Sequence, residues 1–361
     1  MTQSFPENAF NRLLTDLAQT PGPSLNEIKR RGVIEHFLQE KEIPFDVDAA
    51  GNVIIQLAPG RWEDTLVFDA HYDVVEEGFC ETVTITDEHI HGLGTGDDLT
   101  AVAMLLLLAD QIKNEPLSRP LTILLTTGEE GLGNLKGIRQ FVEDRQTSPY
   151  LFVSFDLSYH SYSISGVGSN RYKVNVKTKG GHSWNDFPSP NAIEHLTVFI
   201  SQLRETYSEI AAAAQTKLSF NLGQISGGSG INSIARNAEA TFEFRSEDPI
   251  LLKQTHAQVT ALSNDLSIPC ENIGQRPAAS PLIPNRAEEL ALRALKEAGV
   301  ESTPRPLSTN INMTLSQGWP SICIGLCDSH NIHRHDEYVI RSSLKTGWEI
   351  LSHCFENLMQ V

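Results

Sequence analysis

Three apolar runs in this chain each stop at acids or a histidine. TLVFDA (65–70) runs into His71-Tyr72-Asp73, LTILLTT (121–127) into Gly128-Glu129-Glu130, and LFVSF (151–155) into Asp156. Continuous apolar runs of this length suit strands buried on both faces, the pattern of a parallel sheet covered by helices. In an open α/β sheet the working groups sit just beyond the carboxyl ends of the strands. Carboxylates crowded there repel one another unless cations hold them together. The runs therefore predict a parallel sheet with a metal-centred site at one edge.

The connecting segments agree. NAFNRLLTDLAQT (8–20) has helical spacing, and Ser24-x-x-Glu27 has the form of a capping box for the helix that follows. FDVDAAGNVIIQLAPG (45–60) reads as two strands around Gly51-Asn52. A short β-like insert, TVTITDEHIHG (82–92), precedes GTGDD (94–98) and a strongly apolar helix. Strand and helix alternate up to Asp156, which predicts a mostly parallel mixed sheet flanked by helices. Near residue 170 the character changes. RYKVNVKTKG (171–180) alternates with period two, as a half-exposed antiparallel strand does, and opens a β-α-β-β-α unit of about 100 residues. GQRPAASPLIPN (274–285) reads as a return linker. The expected organisation is a discontinuous α/β domain, 1–169 and 278–361, with an inserted α+β domain over 170–277.

A chain of 361 residues exceeds the usual single-core size, in keeping with two domains. Its net charge of −17 argues against nucleic acid and anionic membrane surfaces as partners, since both need basic patches. Cys80, Cys270, Cys323, Cys327 and Cys354 are odd in number and irregularly spaced, which implies reduced thiols and a cytoplasmic protein, not a disulfide framework. MTQSFPENAF has neither the basic nor the apolar region of a signal peptide, and AVAMLLLLA (101–109) is too short to span a bilayer.

The candidate chemistry lies at the strand ends. In His71-x-Asp73 the carboxylate can accept the second ring N–H of a ligating imidazole and fix its tautomer. Asp97 and Asp98 open the apolar helix; one can cap it, and a carboxylate held there can instead bridge two cations. The glycine spacing of GLGTGDD is wrong for a dinucleotide loop, and its two acids would repel a pyrophosphate. Glu129 and Glu130 are adjacent acids after a buried strand, one placed to ligate a metal and the other to face a water; the plain alternative is an acidic helix start. Asp156 ends its strand, and His330, His333 and His335 share a late loop with Asp336 and Glu337. Take His71, His333, Asp97, Glu130 and Asp156 as ligands. Three carboxylates and one hydroxide then balance two divalent cations. Imidazole and carboxylate ligands without thiolate suit Zn²⁺, with Co²⁺ or Mn²⁺ as the other ions of that preference.

These residues, in this order, resemble the co-catalytic zinc exopeptidases and deacylases that include peptidase T, aminoacylase and carboxypeptidase G. The likeness runs through PSLNE, DAAGNV, HYD, GTGDDLTAVA and TTGEEGLGN, then KGGHS, NAI, GGSGINSI and FEFR, and ends at GWPSICIG and HRHDEYV. It implies a zinc exopeptidase-like fold whose inserted domain is a lid that also forms a homodimer. It implies that His71 and Asp156 bind one zinc, Glu130 and His333 the other, and that Asp97 bridges them; His333 is chosen over His335 because it stands four before Glu337. It further implies that Asp73 orients His71, that Glu129 is the general base, that His182 steadies the oxyanion in the partner subunit's site, and that Asn232 and Arg245 hold the substrate. Two positions depart from the family pattern, Leu99-Thr100 after GDD and Asn310 within STNIN, where the family has Asp. The resulting expectation is a dinuclear metal-dependent hydrolase cleaving an amide bond in a small peptide, with N-acyl-amino-acid deacylation as the alternative. A non-catalytic metal-binding homologue is the third reading, and the intact Glu129 speaks against it.

Overall fold

The computed structural model describes residues 4–75, 78–145 and 147–359, which form two compact units, 1–166 with 281–361 and 167–280. The first unit is built on an eight-stranded mixed sheet in the order Asp46–Val47, Val53–Gln56, Leu121–Thr126, Leu66–His71, Leu151–Phe155, Ser321–Ile324, Ser161–Ser163, Thr303–Pro304. Its four central strands are parallel, with Leu66 opposite both Leu121 and Leu151 and Ser321 opposite Phe152. Leu66–His71 lies between the next two strands of this sheet in sequence, so the chain leaves it first to one side and later to the other. That reversal opens a crevice at the carboxyl ends of these strands. Every residue of the three apolar runs is buried, as a helix-covered parallel sheet requires.

The sheet's two faces differ in chemistry. On one, Leu66, Phe68, Ala70, Leu121, Ile123, Leu125, Leu151, Val153 and Phe155 join the core with Phe10, Leu14, Leu17 and the apolar helix Thr100–Ile112. On the other, Phe152 meets Trp319, which meets Trp62 and through it Phe141 of the helix Lys136–Glu143. This face also buries a polar group. Asp69 Oδ2 accepts from Ser154 Oγ (2.7 Å) and Asn310 Nδ2 (2.9 Å), and Asn310 Nδ2 also donates to Thr126 Oγ1 (2.8 Å). Asn310 is thus a core residue under the strands. Leu99 is buried and Thr100 Oγ1 donates to Thr95 O, so the departure at Leu99-Thr100 serves the start of a helix.

The second unit is an antiparallel sheet, Leu218–Gly227, Asn237–Ser246, Gly168–Lys177 and Cys270–Arg276, with helices Ala192–Ala213 and Pro249–Asp265. Tyr172, Val174, Phe199, Phe242 and Phe244 form its own core. Each helix starts on a side-chain cap: Asn191 Oδ1 accepts from Ile193 N and Asp248 Oδ1 from Ile250 N. The strand Cys270–Arg276 corrects the expected β-α-β-β-α unit and moves the start of the return linker. CENIGQR is polar because it pairs on one side only, with Gly168–Lys177, and its register shifts between Asn272 and Gly274.

Among the described residues all five cysteines are free thiols. No helix there is long and apolar enough to cross a membrane.

Candidate metal centre

His71 is the last residue of its strand, and its imidazole is buried. Nδ1 lies 3.1 Å from the carbonyl oxygen of Asp73 and 3.6 Å from Asp73 Oδ1; Nε2 lies 2.9 Å from Asp97 Oδ1. Asp97 Oδ2 in turn lies 3.0 Å from His333 Nε2, which is 2.7 Å from Glu130 Oε1. One carboxylate therefore spans two imidazoles from opposite ends of the chain. Ligand atoms of His71, Asp97 and Asp156 lie within 4.8 Å of one another, and so do those of Asp97, Glu130 and His333. The two groups share Asp97. A third group at the same spacing joins His71, Glu129 and Glu130. His335 and His330 stay outside these groups; His335 is exposed, and His330 pairs with Asp328 (3.3 Å) and stacks on Tyr338.

Backbone geometry explains this convergence. Gly94 takes φ +80°, where a Cβ would strike Val74, and the turn that follows is irregular at Asp97 (φ −135°, ψ 87°) and Asp98 (φ −134°, ψ 24°), joined by a cis peptide bond. Neither acid caps the helix Thr100–Ile112, whose N-cap is Leu99. Asp98 Oδ2 instead accepts the backbone N–H of His71 (3.1 Å). Glu129 and Glu130 likewise open no α-helix: a single turn, Gly131–Gly133, follows them, and the next helix begins at Lys136. Asp73 accepts from the backbone N–H of Glu129 through Oδ1 and of Glu130 through Oδ2, both at 2.9 Å. It thereby ties the end of one strand to the end of the next.

The capping box expected at Ser24-x-x-Glu27 is not formed. Ser24 Oγ donates to Asp73 Oδ2 at 2.6 Å, and Glu27 Oε1 accepts from Leu25 N (2.7 Å) and Gly128 N (3.0 Å). The helix begins after them, at Ile28. Pro23 bridges Val74, which draws this segment against the strand ends and turns both side chains inward. Sequence reading missed these two supporting residues because the local motif already had an explanation. Glu337 is also buried, accepting from three backbone N–H groups of the Asp97 turn.

The charges strain against one another. Burial pushes the Asp156 carboxyl well above its usual range, and the nearby Asp97 adds to the rise. Burial and then Asp97 raise Glu130 to about 7, against the hydrogen bond from His333. Asp97 is held low: its desolvation is outweighed by the hydrogen bonds to His333 and His71. His333 rises to about 11 through its bonds to Asp97 and Glu130. Asp156 Oδ1 is buried with no hydrogen-bond donor among the described residues. A buried carboxylate oxygen without a donor, beside two more acids, is the environment a divalent cation satisfies. The donor set fits such ions.

His182, Asn232 and Arg245 belong to the second unit. His182 is exposed on a two-residue strand, its Nδ1 accepting from Trp184 N and Asn185 N. Asn232 is exposed, and its carbonyl accepts from Ser183 N, so these two candidates sit on adjoining segments. Arg245 Nε donates to Glu243 Oε1 at 2.7 Å.

Residues 67–357 match the model of peptidase family M20/M25/M40. The chain belongs to this family. The family is described as one of peptidases, in line with the resemblance read from the motifs of this chain. Among curated relatives, this M20/M25/M40 chain is 27% identical to an acetylornithine deacetylase of Pasteurella multocida over 198 residues, 52% of this chain and 51% of that one. It is 26% identical to the acetylornithine deacetylase of Photorhabdus laumondii over 261 residues, 65% of this chain and 67% of the other. The matched stretch is thus about half the length of the first relative. Solved structures share the fold: a Staphylococcus aureus tripeptidase (TM-score 0.81, 17% identity, 99% of this chain and 100% of that one) and a Sulfolobus solfataricus M20 metallo-carboxypeptidase (TM-score 0.78, 13% identity, 98% and 99%).

Proposed function

We propose that this chain hydrolyses the amide bond of short peptides at a centre of two divalent metal ions, zinc first among them. The observation that carries the reading is the carboxylate of Asp97, one oxygen toward His71 and the other toward His333, common to two groups of ligand atoms. His71, Asp97 and Asp156 would hold one ion and Asp97, Glu130 and His333 the other. When bound, such ions polarise a scissile carbonyl and lower the pKa of water.

The chain's own groups do the rest. Asp73 sets the imidazole plane of His71 and, through the amides of Glu129 and Glu130, the spacing between the two sides of the site. Glu129 is the general base: its carboxylate takes a proton from the attacking water and delivers it to the leaving amine nitrogen. Its backbone N–H is pinned by Asp73 and the residue is buried, so it meets substrate in a fixed place. His182 is assigned to the oxyanion, by way of a second copy of the chain, and Asn232 and Arg245 to the substrate; the sequence context of these residues supports those roles. Pairing of two copies through the second unit is favoured by exposed Ile193 and Val198 on its long helix and Ile225 on its edge strand.

Deacylation of N-acyl amino acids is the second reading, favoured by the acetylornithine deacetylases among the relatives. A panel of tripeptides and N-acetyl amino acids, assayed with Zn²⁺, Co²⁺ and Mn²⁺, separates the two. Free amino acid is expected from the tripeptides. Glu129→Gln should lower kcat by about 10²- to 10⁴-fold with metal content unchanged. Undiminished turnover by that variant would remove Glu129 from the chemistry.

A further inference from the structure

We propose that Glu337 is the positioning residue of the metal centre, holding the Asp97 turn and the His333 loop in a single register; this rests on the reading of those two residues as ligands. The turn from Gly92 to Leu99 must place Asp97 between two imidazoles, and its irregular backbone leaves amides that no helix or strand uses. Gly94, Gly96 and Asp97 are all buried, so their N–H groups need acceptors. Glu337 supplies them. Its Oε2 accepts from Gly94 N at 3.0 Å, and its Oε1 from Gly96 N at 2.7 Å and Asp97 N at 3.2 Å. Its backbone oxygen also accepts from Gly92 N at 3.0 Å. A Cβ on Gly96 would lie 2.5 Å from Ser329 Cβ, so glycine is what lets the turn sit this close to the segment that begins the His333 loop.

The same residue roots the loop that delivers His333. Ser329–His330 pairs with Tyr338–Ile340, and Tyr338–Ile340 pairs with His89–His91. Glu337 stands at the base of that hairpin, four residues after the imidazole that lies 3.0 Å from Asp97 Oδ2. Asp97 is thus fixed twice by one loop: its backbone by Glu337 and its side chain by His333. A shift of the loop moves both ligands together, and loss of the carboxylate frees the backbone of the Asp97 turn, leaving the His333 contact and the Gly92 backbone bond to hold it.

A carboxamide cannot replace this group. It can accept the two N–H groups now on Oε1, but its NH₂ would then face the N–H of Gly94, donor against donor. Partners of metal ligands typically change metal affinity by about 10- to 100-fold when they are lost. A residue that only stabilises the fold would lower the unfolding temperature of the metal-free chain and leave the affinity of the folded fraction alone.

The test uses the full chain, stripped with a chelator and titrated with Zn²⁺ against a chromophoric chelator and with Co²⁺ by its visible absorption. Wild type, Glu337→Gln and Glu337→Asp are compared, with unfolding of each metal-free protein recorded alongside. Glu337→Gln should bind metal about 10- to 100-fold more weakly than wild type. Glu337→Asp, which keeps the charge, should fall between them. At limiting metal, kcat of the Gln variant should drop while KM stays near wild type, and excess metal should restore kcat. Equal affinity of wild type and folded Glu337→Gln, within twofold, overturns the assignment while leaving the metal centre standing. A wild-type chain that binds no metal instead removes the proposed function itself. If Glu337→Gln does not fold, Glu337→Asp decides on the same affinity measurement; if neither folds, Glu337 is a residue of the fold and the assignment falls.

Discussion

Asn310 shows how one side chain can couple the core to the site above it. Its amide donates to Asp69 Oδ2 and Thr126 Oγ1, and Asp69 also accepts from Ser154. Asp69 is wholly buried, and burial lifts its carboxyl to about 6, with Asn310 and Ser154 opposing the rise. An aspartate at 310 would set two carboxylates against each other where an amide now donates. Asn310→Asp is therefore expected to destabilise the chain by about 3–5 kcal/mol near pH 7, the usual cost of an uncompensated buried charge. The sign with pH follows from the raised Asp69 pKa. A buried carboxyl that favours its protonated form loses stability as pH rises and recovers it as pH falls, since protonation restores a donor between the two groups. The difference between variant and wild type in urea unfolding should shrink from pH 7 to pH 5. A difference that is constant, or that widens toward acid, would contradict this account.

At the scale of elements, the short segment Pro23–Glu27 acts as a strap across two strand ends. Pro23 bridges Val74, Ser24 donates to Asp73, and Glu27 accepts from Gly128, so the segment reaches past both Leu66–His71 and Leu121–Thr126. Glu27→Ala strands the buried Gly128 N–H and should cost about 1–3 kcal/mol, whereas Glu27→Gln, whose amide oxygen still accepts, should cost less. Hydrogen exchange at Gly128 reads this directly: faster exchange in the Ala variant alone is expected, and equal exchange in both would show that the strap does not depend on that bond. The strap was illegible in the sequence because Ser-x-x-Glu before a helix is also a local cap, and nothing local reveals partners 49 and 101 residues away. The strand Cys270–Arg276 was missed for a related reason: an edge strand with a shifted register needs no apolar alternation, and Ile273 is its only β-branched residue. The central strands were legible because burial on both faces leaves continuous apolar runs, and the acids that follow them stand out by contrast. Asp97 and Asp98 carried too little local signal to show that neither caps its helix; the left-handed Gly94 and the distant Glu337 decide that.

On the scale of the whole molecule, the two units have separate cores, and among the described residues only the first carries the convergent acids. Without metal, the buried acids of the first unit strain it. Asp156, Asp98 and Glu130 are all pushed upward by burial, so holding them ionised opposes folding of that unit. Divalent ions that bind the folded arrangement alone should stabilise it by mass action, about 2.7 kcal/mol per site at a free concentration 100 times Kd. The gain belongs to residues 1–166 and 281–361 and should not extend to residues 167–280. Hydrogen exchange with and without a chelator distinguishes the two. Removing metal should speed exchange in Leu66–His71, Leu121–Thr126 and Leu151–Phe155, and leave Asn237–Ser246 and Gly168–Lys177 as they were. Calorimetry of the same samples should show one chelator-sensitive transition and one that does not move. Equal loss of protection in both units would mean that the ions stabilise the molecule as a single cooperative block, and unchanged exchange throughout would mean that the acids at the strand ends hold no metal at all.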